Sequence, residues 1–481
     1  MIVLKFGGTS VGSLERVRDA ASIIESQSVP RAVIVSAASG VTNLLLDAAQ
    51  RAASGDSEDV DKIVAGIVAK HHSIAAGIGD ERELAAAMGI LDGLHEELRQ
   101  NLAAVVDAGD LSKRDSDQVV SIGERSMSVI VAATLCARGT PAAHVFANRV
   151  IATDDRFGHA KPDRMRTQEQ AAQVVRPLLD EGKTVVMTGF IGGAPDGSIT
   201  TLGRGGSDYS ATLLGAALMA NEVQIWTDVP GVLSADPRLV ADARVVPQIS
   251  FDEAQELAHF GAKVLHPRTI RPAVALDIPV RILSTFAPHE PGTMVTRQWS
   301  GEHLKAITAM RDLLLLTVDV PELEDLSGAA SAVFGALHED RVEVVLVSQA
   351  SSRRRMIYLI DGSSGGGCDV VRGRMCDALQ DFEATVGCTD DVALVAAVGH
   401  GAAEQPKALS QLLSVLGKEG IPVLASSQQM SNAALVAAIP ARFAERAVLS
   451  IHTAFIPART DSVKSRRRRR SQLIGEAMQV G

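Results

Sequence analysis

The feature that most constrains this chain is an alternation of two periodicities along its N-terminal part. Ile2–Phe6, Arg31–Ala37, Ala143–Ala147, Thr184–Ile191, Glu222–Val229 and Val280–Ser284 are short Val/Ile-rich runs that read as strands. Between them, Leu14–Glu25, Val119–Ala137 and Tyr209–Ala220 carry apolar residues at helical spacing. Strand–helix repetition predicts an α/β fold with a mostly parallel sheet sandwiched by helices. Composition agrees: 46% of residues are hydrophobic but only 3% aromatic, as suits strands buried on both faces. In such sheets ligands lie beyond the carboxyl ends of the strands. Gly55–Ala108 lacks strand signals and reads as a helical excursion beside the sheet that carries little chemistry.

A polar, turn-rich break spans Pro288–Gly301. Beyond it Leu304–Val318 reads as paired strands, Gly328–His338 as a helix and Val342–Gln349 as a strand. The order recurs as strand Val392–Val398, helix Pro406–Lys418 and strand Val423–Gln428. The copies share local signatures, VSQASS at 347–352 and SSQQMS at 426–431. This is an internal repeat of a small α+β unit, pointing to regulation or to a dimerisation platform. A length of 481 residues suits several domains. The boundaries expected are 1–295 for the first domain, 303–385 and 390–439 for the repeats, and 458–481 for a tail. The tail holds Arg466–Arg470, a run that reads as solvated.

A net charge of −10 argues against a nucleic-acid partner. The four cysteines show no paired metal spacing and read as reduced thiols of a cytosolic protein. The N-terminus MIVLKFGG has no signal-peptide pattern. The apolar runs fall short of the ~18 residues of a membrane span. The expectation is a cytoplasmic protein without a membrane partner.

Five motifs carry chemistry. In TTLGRGGSDYSA a Gly-rich loop, Gly203–Asp208, opens into a helix, whose unpaired N–H groups and positive dipole end favour an anion. Arg204 adds a planar fork suited to carboxylate or phosphate. In KFGGTS a strand delivers Lys5 to the sheet edge beside Gly7 and Gly8, whose bare amides suit phosphate oxygens. This is not a P-loop, since Gly-x-x-x-x-Gly-Lys-Ser/Thr is absent. SAASGVT, 36–42, places hydroxyls between a strand and a helix, either for a small polar ligand or as caps by Ser39 or Thr42. In SIGER, Glu124 either complements a helix dipole or faces the cleft to take an ammonium group. WTDVPGVLSADPR sets Asp228 and Arg238 at the sheet's carboxyl edge, and FGAKVLHP adds Lys263. His266, before Pro267, reads as structural.

In order and residue detail these motifs resemble those of the aspartokinases, in the amino acid kinase family, over nearly the whole chain. The repeats resemble that family's tandem ferredoxin-like ACT modules, with the second inserted in the first. A strand near Ala454–Ile456, within 440–457, would then complete the first module. The resemblance implies transfer of the ATP γ-phosphoryl group to the side-chain carboxylate of L-aspartate. It implies Lys5, Asp208 and Lys263 as catalytic groups, with Asp208 organising the Lys5 side. ATP would be bound by Lys5, Gly7, Gly8, Thr227, Asp228, Leu233, Arg238, Lys263 and Val264, and Mg²⁺ would ride on its phosphates. Many relatives carry Tyr at the position of Leu233. Arg204 would take the aspartate α-carboxylate and Glu124 its α-ammonium. Ser36, Thr42, Phe190, Gly205, Gly206 and Ser207 would complete the acceptor pocket.

The resemblance is weaker in the repeats. Relatives often read SQGSSERNIS at the effector junction. Here 348–355 is SQASSRRR and 427–434 is SQQMSNAA, which implies weakened or unusual feedback regulation. With no dinucleotide fingerprint downstream, the chain reads as monofunctional. Exposed edges of small α+β repeats commonly pair, so a homodimer or homotetramer through the modules is expected. The competing readings are a kinase for glutamate or acetylglutamate and a non-catalytic amino-acid sensor.

Overall fold

The computed structural model describes residues 1–261, 266–298, 304–321, 326–350, 354–400, 407–428 and 433–456. The chain divides into two compact units: 1–232 with 245–258 and 263–300, and 233–244 with 259–262 and 301–481.

The first unit begins β1 (Ile2–Phe6), α1 (Leu14–Glu25), β2 (Arg31–Val35), α2 (Val41–Ala53), α3 (Ser57–Ala75), α4 (Glu81–Ala108), α5 (Lys113–Ala137) and β3 (Ala142–Val145). It continues α6 (Arg164–Val174), α7 (Arg176–Asp180), β4 (Thr184–Thr188), β5 (Ile191–Gly193), β6 (Ile199–Thr201), α8 (Gly206–Leu218) and β7 (Glu222–Thr227). Last come β8 (Gln248–Ser250), α9 (Phe251–His259), α10 (Pro267–Ala275), β9 (Val280–Ser284) and β10 (Thr293–Thr296).

Eight strands form one sheet in the order β3-β4-β2-β1-β7-β9-β10-β8. Every pairing is parallel except β9 with β10. The alternation of strand and helix patterns therefore produces the expected crossovers. The period of two in β1 sends Leu4 and Phe6 into the core shared with α1 to α5. Val3 and Lys5 face the other way; the Cγ2 of Val3 lies 3.9 Å from where a Cβ on Gly215 of α8 would stand.

The helical excursion is α3 and α4, capped at their N-termini by Asp56 and Asp80. It is not inert: from α3, Lys70 donates to the Ser39 carbonyl in the loop between β2 and α2. α5 has the length and apolarity to cross a membrane, which the apolar-run count did not anticipate. In this fold it is a core helix, with Val119, Ile122, Met127, Ile130 and Leu135 all buried. Arg125, midway along it, is held bidentately by Glu97 of α4 at 2.5 and 2.9 Å.

The second unit contains β11 (Ala306–Asp319), α11 (Leu326–Glu339), β12 (Val344–Ala350), β13 (Arg355–Asp361), α12 (Gly362–Gly365), α13 (Cys368–Ala378) and β14 (Thr385–Val398). It ends with α14 (Ala408–Lys418), β15 (Ala425–Gln428), β16 (Ala434–Pro440) and α15 (Ala444–Phe455). Leu304–Val318, expected as paired strands, is one strand of 14 residues. Six strands make a single antiparallel sheet, β12-β13-β11-β14-β16-β15. β11 and β14 are both long and share a register irregularity between Met310 and Leu315.

The two halves of these strands face different cores. Leu314, Leu316 and Val318 pack with α11 and α13, whereas Ile307, Val395 and Ala397 pack with α14 and α15. This corrects the expected completion of the first module. Ala454–Ile456 is not a strand, since α15 runs to Phe455. The first module closes with the front half of β14, and the Ala306–Met310 half of β11 supplies the second module's missing strand. The physical reason is amphipathic: Ala447, Val448 and Ile451, at helical spacing, bury one face of α15.

The cysteine reading is corrected as well. Cys368, at the start of α13, and Cys388, on β14, form a disulfide, with Cα atoms 5.5 Å apart. Packing of α13 along β14 brings together residues 20 apart in sequence. Cys136 and Cys376 are free. The effector-junction residues 351–353 and 429–432, the tail 457–481, and Lys263 and Val264 lie outside the described residues.

Candidate active site

A cleft of ≈ 490 Å³ opens at the carboxyl ends of β1, β2 and β4. Three strand ends, the starts of α2 and α8 and the middle of α5 build it. β1 ends at Phe6 and turns through Gly7 into a short 3-10 turn, Gly8–Ser10. Gly8 is required by space, because a Cβ there would stand 2.7 Å from the Ala37 carbonyl oxygen. Gly8→Ala is accordingly expected to push apart the two loops that floor the cleft. It should cost about 1–3 kcal/mol by overpacking, read as a lower urea midpoint at unchanged m-value, together with loss of activity.

The Gly7 amide donates to the Trp226 carbonyl at 3.3 Å. Of the two amides expected to face phosphate, Gly7's is therefore committed to the sheet. Gly8's makes none of the described backbone hydrogen bonds.

Gly205, at φ +71°, caps α8 without a side-chain hydrogen bond; the Gly206 amide donates to the Gly203 carbonyl at 2.9 Å, whereas those of Ser207 and Asp208 make none of the described turn or cap hydrogen bonds and suit a ligand. That turn also carries Asp208, whose Oδ1 lies 2.7 Å from Lys5 Nζ, with side-chain exposures of 18% and 11%. The pair follows from register: Lys5 alternates with the core-facing Leu4 and Phe6, so it points to the sheet face that α8 covers. Arg204 is exposed and has no ion-pair partner among the described residues.

Phe190 lines the same cleft in a left-handed conformation, φ +67°. A bulky residue there stores about 1–3 kcal/mol. The backbone is held by donation from the Phe190 N–H to Ser210 Oγ at 3.0 Å and by contact with Gly206, where a Cβ would meet the Phe190 ring at 2.6 Å. Ser36 and Thr42 complete the wall. The capping alternative for Ser39 and Thr42 does not hold, because the N-cap of α2 is Gly40, without a side-chain cap.

Glu124 lies in the middle of α5, not in its first turn, so the helix dipole does not account for it. The residue is 3% exposed, lines the cleft, and its Oε2 has no hydrogen-bond partner among the described residues. Burial pushes its carboxyl up to about 8, against a smaller downward pull from the Ala37 amide. A buried carboxyl with a free oxygen facing a cleft is a receptor for a cationic donor.

One residue escaped the sequence reading. Asp117, seven positions before Glu124 on the same face of α5, is buried and accepts from the Thr201 N–H (2.8 Å), Thr201 Oγ1 (2.7 Å) and the Gly158 N–H (2.9 Å). It anchors β6, the strand that leads into the Gly203–Asp208 loop. The i, i+7 spacing was the available signal.

Lys5, Gly8, Ser36, Thr42, Glu124, Phe190, Arg204, Gly205, Gly206, Ser207 and Asp208 thus meet in one cleft. Thr227, the last residue of β7, donates from Oγ1 to Oδ1 of the following Asp228 at 3.3 Å, but neither lines the cleft. Leu233 and Arg238 belong to the second unit, where Arg238 is paired with Asp236 at 2.6 Å. His266 is structural, as expected: it caps α10, its Nδ1 accepting from the Arg268 N–H at 3.2 Å.

A glycine-floored cleft at the carboxyl edge of a parallel sheet, with a lysine–aspartate pair beside a helix start, suits an anionic ligand. The model of the amino acid kinase family matches residues 1–284, and that of the ACT domain matches 395–455. The chain is 33% identical over 457 residues to the lysine-sensitive aspartokinase 3 of Escherichia coli K12, covering 94% of this chain and 98% of that protein. It is 32% identical over 469 residues to a chloroplastic bifunctional aspartokinase/homoserine dehydrogenase of Daucus carota, covering 95% of this chain and 51% of that protein. The chain thus spans about half the length of the bifunctional relatives it matches. The crystal structure of E. coli aspartokinase III in complex with aspartate and ADP superimposes with a TM-score of 0.78 at 32% identity, covering 94% of this chain and 99% of that one. The chain belongs to the aspartokinases.

Proposed function

We propose that the protein transfers the γ-phosphoryl group of ATP to the side-chain carboxylate of L-aspartate. The product would be 4-phospho-L-aspartate, and the step would open the biosynthesis of aspartate-derived amino acids. The observation that carries this reading is that buried Glu124, through Oε2, and Arg204 share one cleft, neither paired with a described residue. One cation receptor and one anion receptor suit the two ends of a free α-amino acid. An acetylated acceptor lacks the ammonium and would leave Glu124 unpaired, and a sensor has no use for the Lys5–Asp208 pair.

The acceptor carboxylate is ionised at neutral pH, so no general base is needed. The barrier lies in bringing two anions together and in spreading charge on the transferring group. Lys5 supplies the cation at that point, and Asp208 orients its ammonium. The α8 amides and the Gly8 amide supply fixed dipoles. Arg204 and Glu124 hold the acceptor, so that its carboxylate meets the phosphoryl group in line. Mg²⁺ would neutralise the nucleotide phosphates. The cleft suits a metal carried on phosphate, since Asp208 is committed to Lys5 and Glu124 is buried. Thr227 and Asp228 are proposed to contact the nucleotide. The outermost strands of the second unit's sheet, β12 and β15, support pairing of two chains through that unit.

The reading is tested by an ATP- and Mg²⁺-dependent hydroxamate assay with aspartate, glutamate and N-acetylglutamate in parallel. Product with aspartate alone is the expected result; product with none would favour the sensor.

Ammonium binding needs ionised Glu124. Below pH 8 the free protein holds that carboxyl protonated, so aspartate binding must release the proton. The aspartate KM is therefore expected to fall about tenfold per pH unit as pH rises toward 8 and then level off. In Glu124→Gln this slope should vanish. For the unliganded fold the sign is opposite. The carboxyl is raised from 4.5 to about 8, so its contribution to stability declines as pH rises through that window.

A further inference from the structure

The helical excursion holds a group of side chains with no part in the acceptor cleft. His71 and His72 are consecutive on α3. Asp92 and His95 stand three apart on α4 and so share a face. His72 Nε2 lies 3.3 Å from Asp92 Oδ1, and His71 Nδ1 lies 3.0 Å from His95 Nε2. The rings of His71 and His95 stack at 5.3 Å, and that of His72 tilts against His95 at 5.4 Å. One ligand atom each from His72, Asp92 and His95 lie within 4.8 Å of one another.

His71 and His95 are fully buried, yet His71 Nε2 and His95 Nδ1 have no hydrogen-bond partner among the described residues. His72 Nε2 makes none either, beyond its approach to Asp92. Ring stacking accounts for the packing of imidazoles. It does not account for orphaned buried nitrogens converging with a carboxylate, each of which is costly to leave unpaired.

We propose that His72, Asp92 and His95 bind a divalent transition-metal ion of the Zn²⁺ class between α3 and α4. Two imidazoles and a carboxylate suit Zn²⁺ and its neighbours, whereas Mg²⁺ prefers an all-oxygen shell. A carboxylate and a histidine three residues apart, facing ligands on a second helix, is a known way for helices to build a metal site. With His95 Nδ1 as the ligating nitrogen, its Nε2–H would be the donor of the 3.0 Å hydrogen bond to His71 Nδ1, and His71 its outer support. Three protein ligands leave a coordination position for water. The half-exposed edge formed by Asp92 and His72, 64% and 34% exposed, gives the ion a route from solvent. The ion would staple α3, which carries Lys70, to α4, and so steady the lysine that holds the Ser39 carbonyl beside the acceptor cleft.

The test uses the untagged full chain, stripped with a chelator and titrated with Co²⁺ alone and then with Zn²⁺. One Co²⁺ per chain is expected, with the strong visible absorption of a four-coordinate site, bleached by Zn²⁺. The Zn²⁺-bound protein should melt higher than the stripped one. His72→Ala and Asp92→Asn, at the half-exposed edge and so expected to fold, should each weaken Zn²⁺ binding more than about 100-fold, and His71→Asn about tenfold. Circular dichroism and melting of the metal-free variants separate loss of the site from loss of the fold. The proposal is overturned if the wild-type chain binds no stoichiometric Co²⁺ or Zn²⁺. It is equally overturned if binding persists unchanged in both His72→Ala and Asp92→Asn.

Discussion

Lys5→Met is expected to lower kcat about 10³-fold with little change in the aspartate KM. Lys5 Nζ is the cation placed where the transferring group gathers charge, and losing one fixed transition-state donor costs about 10²–10³ in kcat. The substitution also strands Asp208, 18% exposed and 2.7 Å from the lost ammonium, and so lowers stability as well as kcat. The double variant Lys5→Met/Asp208→Asn separates the two. It removes both charges and should recover the melting temperature of the wild type while kcat stays low. Recovery of kcat in the double variant would show that Lys5 acts only by neutralising Asp208. Steady-state kinetics beside thermal melting decide the matter.

Arg204→Ala is expected to raise the aspartate KM about 100-fold and leave the ATP KM unchanged. A charge-assisted, two-pronged hydrogen bond to a carboxylate contributes about 1.5–3 kcal/mol, and each 1.4 kcal/mol is tenfold in affinity. Arg204 is exposed and has no ion-pair partner among the described residues, so its removal leaves no buried charge and stability should hold. Arg204→Lys should recover only part of the affinity, since an ammonium lacks the planar fork. An unchanged aspartate KM in Arg204→Ala would remove Arg204 from the acceptor site. With Glu124→Gln the comparison becomes sharper: Arg204→Ala should shift KM equally at all pH values, whereas Glu124→Gln should abolish its pH dependence.

Much of the site was legible in order along the chain. The Gly203–Asp208 loop, the KFGGTS turn and the SAASGVT junction each follow or precede an element whose period is visible locally, and each reached the cleft. What the chain did not show was depth. Glu124 was read as near a helix start because only Val119–Ala137 carried a clean helical pattern. The helix begins at Lys113, through a polar first turn capped by Ser112. Asp117 was missed for the same reason. Its hydrogen bonds to Thr201 and Gly158 span sequence gaps that no local pattern reports.

The strand–helix alternation, the glycine positions and the repeat were already written in the order of residues, because each depends on residues a few places apart. Tertiary structure alone decided the Lys5–Asp208 pair, the burial of Glu124, the meeting of His71, His72, Asp92 and His95, and the loan of Ala306–Met310 to the second module. Those outcomes depend on which faces of distant segments pack together. A buried face is chosen by the sum of apolar contacts over the whole unit, and the neighbours of a residue in sequence carry little of that sum.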